Sequence, residues 1–360
     1  MNTLFQSGAQ TYRQPLGNII MNERDKEIAN YEREFWSLIK KNFDCRLESM
    51  SISASPYVNG HISFNAKFPT KNIYLINTPY LYTLSKKIIH FTSISALYSI
   101  INDGAVRLYN LNNSNDDKEY SYASEKLSEI YQIQNISKDS VSNYINQIKE
   151  WSFILSCTDY KGLYNLDFWK EYGDNGKGIA IEFEIINEVS EWEFFYCSEI
   201  FYNKLESFDK LISGWKEIQN KYNHINYHIR LNQLLSLHKS DVWSKEAEIR
   251  ILTNYPDLHS VPFNERVFQD FKAKKPNLKI KYFSLPLCDK YGKFVDKRLE
   301  DRNESYWGLI PRIRIADIHY GPDFHIKEKF WEFHSDLRRY IFKKLKCSLP
   351  RNTKNRISLL

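Results

Sequence analysis

The sequence has no apolar run of the roughly 18 residues that a membrane-spanning helix needs, so no transmembrane segment is expected. Its opening residues, Met1-Asn2-Thr3-Leu4-Phe5-Gln6, have neither the basic nor the apolar segment of a secretion signal. Cysteine is sparse and scattered, at Cys45, Cys157, Cys197, Cys288 and Cys347, with no Cys-x-x-Cys pair. Such a set argues against a disulfide framework or a structural zinc site and fits reduced thiols in the cytoplasm. Glycine (12) and proline (11) are scarce, which excludes a collagen-like or linker-dominated chain. Ser-His-Asp nucleophile elbows, His-Glu-x-x-His zinc helices and Gly-x-Gly-x-x-Gly fingerprints are missing as well. His224 and His228 have helical i, i+4 spacing, but no third ligand completes a site, so no metal is expected.

What is present is globular composition: 42% hydrophobic, 15% aromatic and 26% charged residues in a chain of 360, enough for one large domain or two ordinary ones. The net charge of +6 is unevenly spread. Residues 327–356 carry ten Lys/Arg against three acids, a net of +7 that leaves the remainder near −1. A basic end of this kind marks contact with nucleic acid or an acidic partner, or else a solvated helix face.

The pattern divides the chain into an N-terminal extension (1–85), a central domain (86–325) and a basic C-terminal helix and tail (326–360). The extension reads as a helix over Asn22–Lys41 followed by short strands at Ile62-Ser63-Phe64 and Ile73-Tyr74-Leu75-Ile76. From Lys87 the expected order is a strand at Ile88–Phe91, a helix over Ser93–Asn102 closed near Gly104, and a strand at Val106–Tyr109. Helices are expected around Tyr120–Gln132 and Asp139–Lys149, and strands at Ser152–Ser156, Gly178–Glu184 and Glu248–Thr253. Leu205–His238 reads as mostly helical, Ile313–Tyr320 as a late strand, and Ile326–Lys346 as an amphipathic helix. The class is α+β, with helices in long insertions.

Four clusters carry chemistry-bearing side chains. His90-Phe91-Thr92 places a histidine at a strand end, where it can bond a ligand or simply the backbone. In Phe153-Ile154-Leu155-Ser156-Cys157-Thr158 an apolar strand ends abruptly in hydroxyls. Asp167 to Gly178 sets Trp169 and Tyr172 beside a glycine-rich turn without the order of a P-loop; the rings can stack on a flat ligand or belong to the core. Glu246 and Glu248, two apart at the opening of a strand, share one face, where two carboxylates raise each other's pKa unless solvated.

Taken in order, His90-Phe91-Thr92, Asn115-Asp116-Asp117-Lys118-Glu119, Leu155-Ser156, Phe168-Trp169-x-x-Tyr172-Gly173, Gly178 to Phe183, Trp243-x-x-Glu246-x-Glu248-Ile249-Arg250 and Tyr320-Gly321-Pro322 resemble a widespread, largely uncharacterised bacterial domain family. The resemblance spans residues 87–322 and departs from the family pattern at Asp117, where proline is usual. The order of a histidine strand, a Ser-x-Thr strand and a Glu-x-Glu strand also resembles ADP-ribosyltransferases. That resemblance implies an ADP-ribosyltransferase-like split β-sandwich with helical insertions, and NAD as substrate in its cleft. It implies that Glu248 stabilises the ribose cation and Glu246 orients the nucleophile. It further implies that His90 binds the adenosine ribose, Thr92 belongs to the NAD site, Ser156 and Thr158 fix the nicotinamide ribose, and Trp169 or Tyr172 covers the nicotinamide ring. Glu248→Gln is then expected to abolish activity without harm to the fold. The implied function is mono-ADP-ribosylation of a protein or nucleic-acid acceptor by a toxin or phage-defence effector, held in check by an antitoxin or other regulator. A non-enzymatic nucleotide-binding module and an NAD glycohydrolase are the alternatives on the same pocket.

Overall fold

The computed structural model describes residues 23–45, 48–54, 62–113, 138–202, 205–223, 225–230, 232–254, 265–272, 275–296, 309–324 and 330–350, with a few isolated positions besides. The Asn115–Glu119 turn, the helix expected around Tyr120–Gln132, and His224 lie outside them.

The chain is α+β, built on an antiparallel sheet. Two strands precede that sheet in sequence, β1 (Glu48–Ala54) and β2 (Ile62–Lys67); β2 also pairs in parallel with β9 (Ile225–Arg230). The main sheet runs β12 (Val267–Lys272), β13 (Lys275–Pro286), β4 (Ala105–Asn110), β5 (Ser152–Thr158), β3 (Lys87–Thr92), β6 (Ile179–Ile185) and β14 (Ile313–Tyr320). From β5 it also branches to β11 (Glu248–Asn254) and then to β7 (Phe195–Glu199). A short parallel pair, β8 (Phe201–Tyr202) with β10 (His238–Lys239), completes the strands among the described residues. β6 and β11 are almost wholly buried, which is why their apolar runs do not alternate with polar residues. In β14 the buried positions are Ile313 and Ile315, then Ile318 and Tyr320. The phase slips by one at a bulge between Ile315 and Asp317, which keeps apolar side chains inward on both sides of it.

The sheet is split beside β5. One edge of β5 pairs with β11 along its whole length, from Ser152 opposite Asn254 to Thr158 opposite Glu248. The other edge is shared: Phe153 and Ile154 meet Asn110 and Tyr109 of β4, and Thr158 meets Ile89 of β3. Leu155, Ser156 and Cys157 have no strand partner on that edge, so β3 and β4 diverge around them. The link between those strands is the helix Ile94–Asp103, N-capped by the Ser93 hydroxyl, which accepts from the Ala96 amide at 3.2 Å. Gly104 ends it at φ 59°, a left-handed turn that suits glycine. Leu97, Ile100 and Ile101 of this helix face the main core, together with the C-terminal helix Phe330–Leu345.

A second core lies on another side of the sheet. Helix Glu23–Phe43 presents Tyr31, Phe35, Ile39 and Phe43 at i, i+4 spacing to helix Leu205–Lys221, which contributes Phe208, Leu211, Ile212 and Trp215. The same cluster includes Tyr196 of β7 and Leu252 of β11, and Tyr82 belongs to the main core, so residues from both sides of position 85 pack together. Fully burying each such aromatic contributes about 1.5–3 kcal/mol.

Three expectations change. Ile73–Ile76 is not a strand: Asn72–Leu75 is a 3-10 turn, anchored by buried Asn72 donating to the Val189 carbonyl at 2.8 Å, while Ile73, Tyr74 and Ile76 stay exposed. The long helix expected over Leu205–His238 stops at Lys221, and the chain returns as β9. β7 is a strand the sequence pattern did not mark, since the run Glu193-Phe194-Phe195-Tyr196-Cys197 has neither alternation nor bounding turn residues. All five cysteines are free and buried. Among the described residues no helix is long and apolar enough to cross a membrane.

Candidate functional site

The divergence of β3 from β4 opens a cavity of about 270 Å3 over the unpaired edge of β5. Its walls include His90 of β3, Arg107 of β4, Ser156 and Thr158 of β5, and both carboxylates Glu246 and Glu248. Three segments far apart in sequence thus converge because β3 and β11 both pair with the same end of β5.

At its floor Glu248 is enclosed by donors. The guanidinium of Arg250 bonds it in a fork, Nε to Oε1 at 2.9 Å and Nη2 to Oε2 at 3.0 Å. Ser156 donates its hydroxyl to Oε1 at 2.5 Å, and the Lys239 ammonium lies 2.8 Å from Oε2. Burial by itself would raise the Glu248 pKa; Arg250 and Lys239 outweigh it and hold the carboxyl well below its usual range. The expectation that a neighbouring carboxylate raises the pKa is therefore overturned at Glu248. Lys239, only 9% exposed, sits between them and also bonds Glu246 Oε2 at 2.9 Å. Two carboxylates face two cations, and the cluster is neutral.

Glu246 does not lie in the strand. It ends a 3-10 turn, Asp241–Glu246, and Ala247 then adopts a left-handed conformation, φ 41°, before β11 begins at Glu248. That conformation costs a non-glycine residue on the order of 1–2 kcal/mol. The turn brings Glu246 against the phenol of Tyr172, which donates to Oε1. Burial, then the Glu246 charge, push the Tyr172 phenol well above its usual value, so it stays a donor. A carboxylate offers about four acceptor positions. Those of Glu248 are all filled, whereas Glu246 uses two and faces the cavity.

His90 Nδ1 is 2.9 Å from the Ser156 carbonyl, on the edge of β5 that lacks a strand partner. A carbonyl can only accept, so Nδ1 carries the proton. Burial lowers the His90 pKa against the opposing effect of that bond, leaving the ring neutral with Nε2 as an acceptor. The one histidine thus satisfies the backbone and keeps an acceptor for the cleft.

Ser156, Thr158 and Tyr172 also line the cavity, and Thr158 donates to the Ala247 carbonyl at 3.4 Å. Thr92 and Trp169 do not. Trp169 is 1% exposed, donates its indole N–H to the Leu163 carbonyl at 2.9 Å and packs edge-on against Phe91, so it is a core residue. The glycine-rich turn is explained by close backbone approach. A Cβ at Gly178 would come within 2.5 Å of the Thr92 carbonyl oxygen, and one at Gly321 within 2.1 Å of that of Gly176. The turn's backbone bonds the chain after β14, Gly321 N–H to Gly178 O and Asp323 N–H to Gly176 O, both at 3.0 Å. Cys157 lines the cavity too, but burial drives its thiol pKa well up, which argues against a nucleophilic role. Lys239 and Arg107 are site residues that no motif marks.

Residues 168–251 match the model of a family described as a protein of unknown function (DUF2971). The match covers the Phe168–Gly178 turn and the Trp243–Arg250 segment, a shorter stretch than the 87–322 resemblance, and it carries no link to ADP-ribosyltransferases. No curated protein and no solved structure matches the chain.

Proposed function

We propose that the cleft binds NAD and transfers ADP-ribose to an acceptor. The observation that carries this reading is the convergence of neutral His90, the Ser156 hydroxyl and two anionic side chains on one cavity in a split sheet. Such an opening between diverging strands is what an ADP-ribosyltransferase-like split sandwich requires. The cavity falls just below the roughly 300–1,000 Å3 usual for ligand pockets, so it encloses one half of a dinucleotide and leaves the other on its rim.

The chemistry is rupture of the bond from ribose C1 to the nicotinamide nitrogen. The electron pair leaves with nicotinamide and positive charge builds on the ribose, much as in glycoside hydrolysis. The acceptor's oxygen or nitrogen then attacks C1 and gives up its proton. Glu246 has the free acceptor positions to take a ribose hydroxyl or that proton. Glu248, already saturated, fixes the Ser156 hydroxyl and holds Lys239 in place. This moves the contact with ligand from Glu248 to Glu246. His90 Nε2 accepts from a hydroxyl of the second ribose, Thr158 lines the nicotinamide-ribose side, and Tyr172 borders the nicotinamide ring.

The full saturation of Glu248 favours one other reading, a nucleotide-binding module without turnover. Incubation with NAD labelled in the adenine ring, with separate protein, DNA and RNA pools, decides. Label in one pool with release of nicotinamide supports transfer, and release without label supports a glycohydrolase. Saturable binding without release supports the module, and no binding sinks the proposal.

A further inference from the structure

The C-terminal helix, Phe330–Leu345, has two unlike faces. His334, Leu337, Ile341 and Leu345 are buried against the main core. A flank of the helix, about 75–95° round from the buried face, leaves two large rings in solvent, Trp331 at 64% and Phe342 at 50% exposure. They are eleven residues apart, about 16 Å along the axis, and three turns bring them to within roughly 20° of one line. Arg339, Lys343 and Lys346 are exposed beside that line. The Lys346 ammonium lies 5.9 Å above the Phe342 ring, so a cation and an aromatic face are presented together.

The charge is one-sided. After Asp336 the last 24 residues hold eight Lys/Arg and no Asp or Glu, in a chain whose whole net charge is +6. The acids Glu332 and Asp336 lie in the first half of the helix, and the Asp336 to Arg339 pair is largely solvent-exposed, hence weak.

We propose that this face binds single-stranded nucleic acid. Bases stack on Trp331 and Phe342, and phosphates between and beyond them pair with Arg339, Lys343 and Lys346. Spaced rings interleaved with cations are the arrangement that grips a strand without reading its sequence. A duplex keeps its bases stacked inside and cannot use the rings. A bilayer requires a broad apolar face, and the broad apolar face of this helix is already packed against the core. The inference stands on the helix alone and does not depend on what the cleft binds.

The test uses the full chain and a fluorescently labelled 20-nucleotide oligothymidine, its RNA counterpart, a hairpin duplex, and vesicles of phosphatidylcholine with 30% phosphatidylserine. Binding is followed by anisotropy or co-sedimentation over a salt series. The single strands should bind more tightly than the duplex or the vesicles. Trp331→Ala and Phe342→Ala should each weaken binding about tenfold or more. Replacing Arg339, Lys343 and Lys346 with Gln should flatten the salt slope by about two units, near 0.7 for each phosphate no longer neutralised. All substituted side chains are exposed, so melting temperatures should hold. Single-strand affinity unchanged in the ring variants, preference for duplex, or preference for vesicles would each overturn the assignment.

Discussion

The Ser156 hydroxyl donates to Glu248 Oε1 across 2.5 Å, linking β5 to β11 at the floor of the cleft. On the other side of the same residue, the Ser156 carbonyl lies 2.9 Å from His90 Nδ1 on β3. One serine, at the point where β5 has lost a strand neighbour, therefore ties together three segments separated by 66 and 92 residues. Its position is fixed by the split in the sheet, and the carboxylate it touches is fixed by Arg250 and Lys239.

Glu246 and Glu248 should respond differently to the same substitution. Glu248→Gln strips the fork partner from Arg250, a guanidinium only 1% exposed. Breaking a buried pair from one side costs about 3–5 kcal/mol. Urea unfolding should show that loss, contrary to the expectation that the variant keeps its fold. Glu246→Gln retains acceptors for Tyr172 and Lys239, and Lys239 keeps Glu248 as its counter-charge, so its melting temperature should fall far less. Nicotinamide release by Glu246→Gln should nevertheless fall by about 10²–10³. A stable Glu248→Gln variant, or a fully active Glu246→Gln variant, would reverse the two roles.

The same pair gives a pH signature. The folded chain holds the Glu248 carboxyl below its ordinary value of about 4.3, so it binds that proton less tightly than the unfolded chain does. The resulting stability is complete above the unfolded value and is lost as pH falls through the depressed one. The stability gap between wild type and Glu248→Gln should stay level from pH 7 to about 5 and narrow below about 4. A gap that widens on acidification contradicts the ion-pair geometry.

The sequence marks strands whose apolar runs end in polar side chains, and this exposes His90, Ser156 and Glu248, each at or near such an end. Lys239 is invisible by the same logic. The run Leu234-Leu235-Ser236-Leu237-His238 reads as the end of a helix with Lys239 just past it, and nothing local says that the ammonium turns inward between two carboxylates. Trp169 and Tyr172 show the opposite ambiguity: two rings beside a glycine turn look alike in sequence, yet Phe91 and Leu163 enclose one while the other meets Glu246. The glycines of that turn answer to backbone contacts with β3 and the segment after β14, partners distant in sequence.

His90 offers a test that separates ligand contact from packing. His90→Ala removes a ring nitrogen facing the cleft and a bond to the Ser156 carbonyl. NAD affinity, followed by calorimetric titration, should drop more than stability does. In wild type, affinity should be level from pH 8 to 7 and decline only below the ordinary histidine range of about 6.5, where Nε2 gains a proton and ceases to accept. Unchanged affinity in a destabilised variant would make His90 a core residue.

Arg107 supplies the last prediction, at the β4 wall of the cleft. Its guanidinium stacks on Tyr282, 4.4 Å from the ring centroid, and meets Asp103 at 3.3 Å and Asp270 at 3.7 Å. The two acids are about half exposed, so these pairs are weak and leave the guanidinium able to take a stronger anion. Stacking holds its plane in place and cuts the entropy lost on binding. If NAD fills the cleft, its pyrophosphate is the anion, since the cations on the β11 side, Lys239 and Arg250, are already matched by two carboxylates. Arg107→Gln should weaken ADP-ribose by about ten- to a hundredfold, the range for a lost charged hydrogen bond of about 1.5–3 kcal/mol. Binding of free nicotinamide, which has no phosphate, should not change. Equal ADP-ribose affinity in wild type and variant would place the phosphates elsewhere in the cleft. Failure of wild type to bind ADP-ribose at all would remove the NAD reading itself.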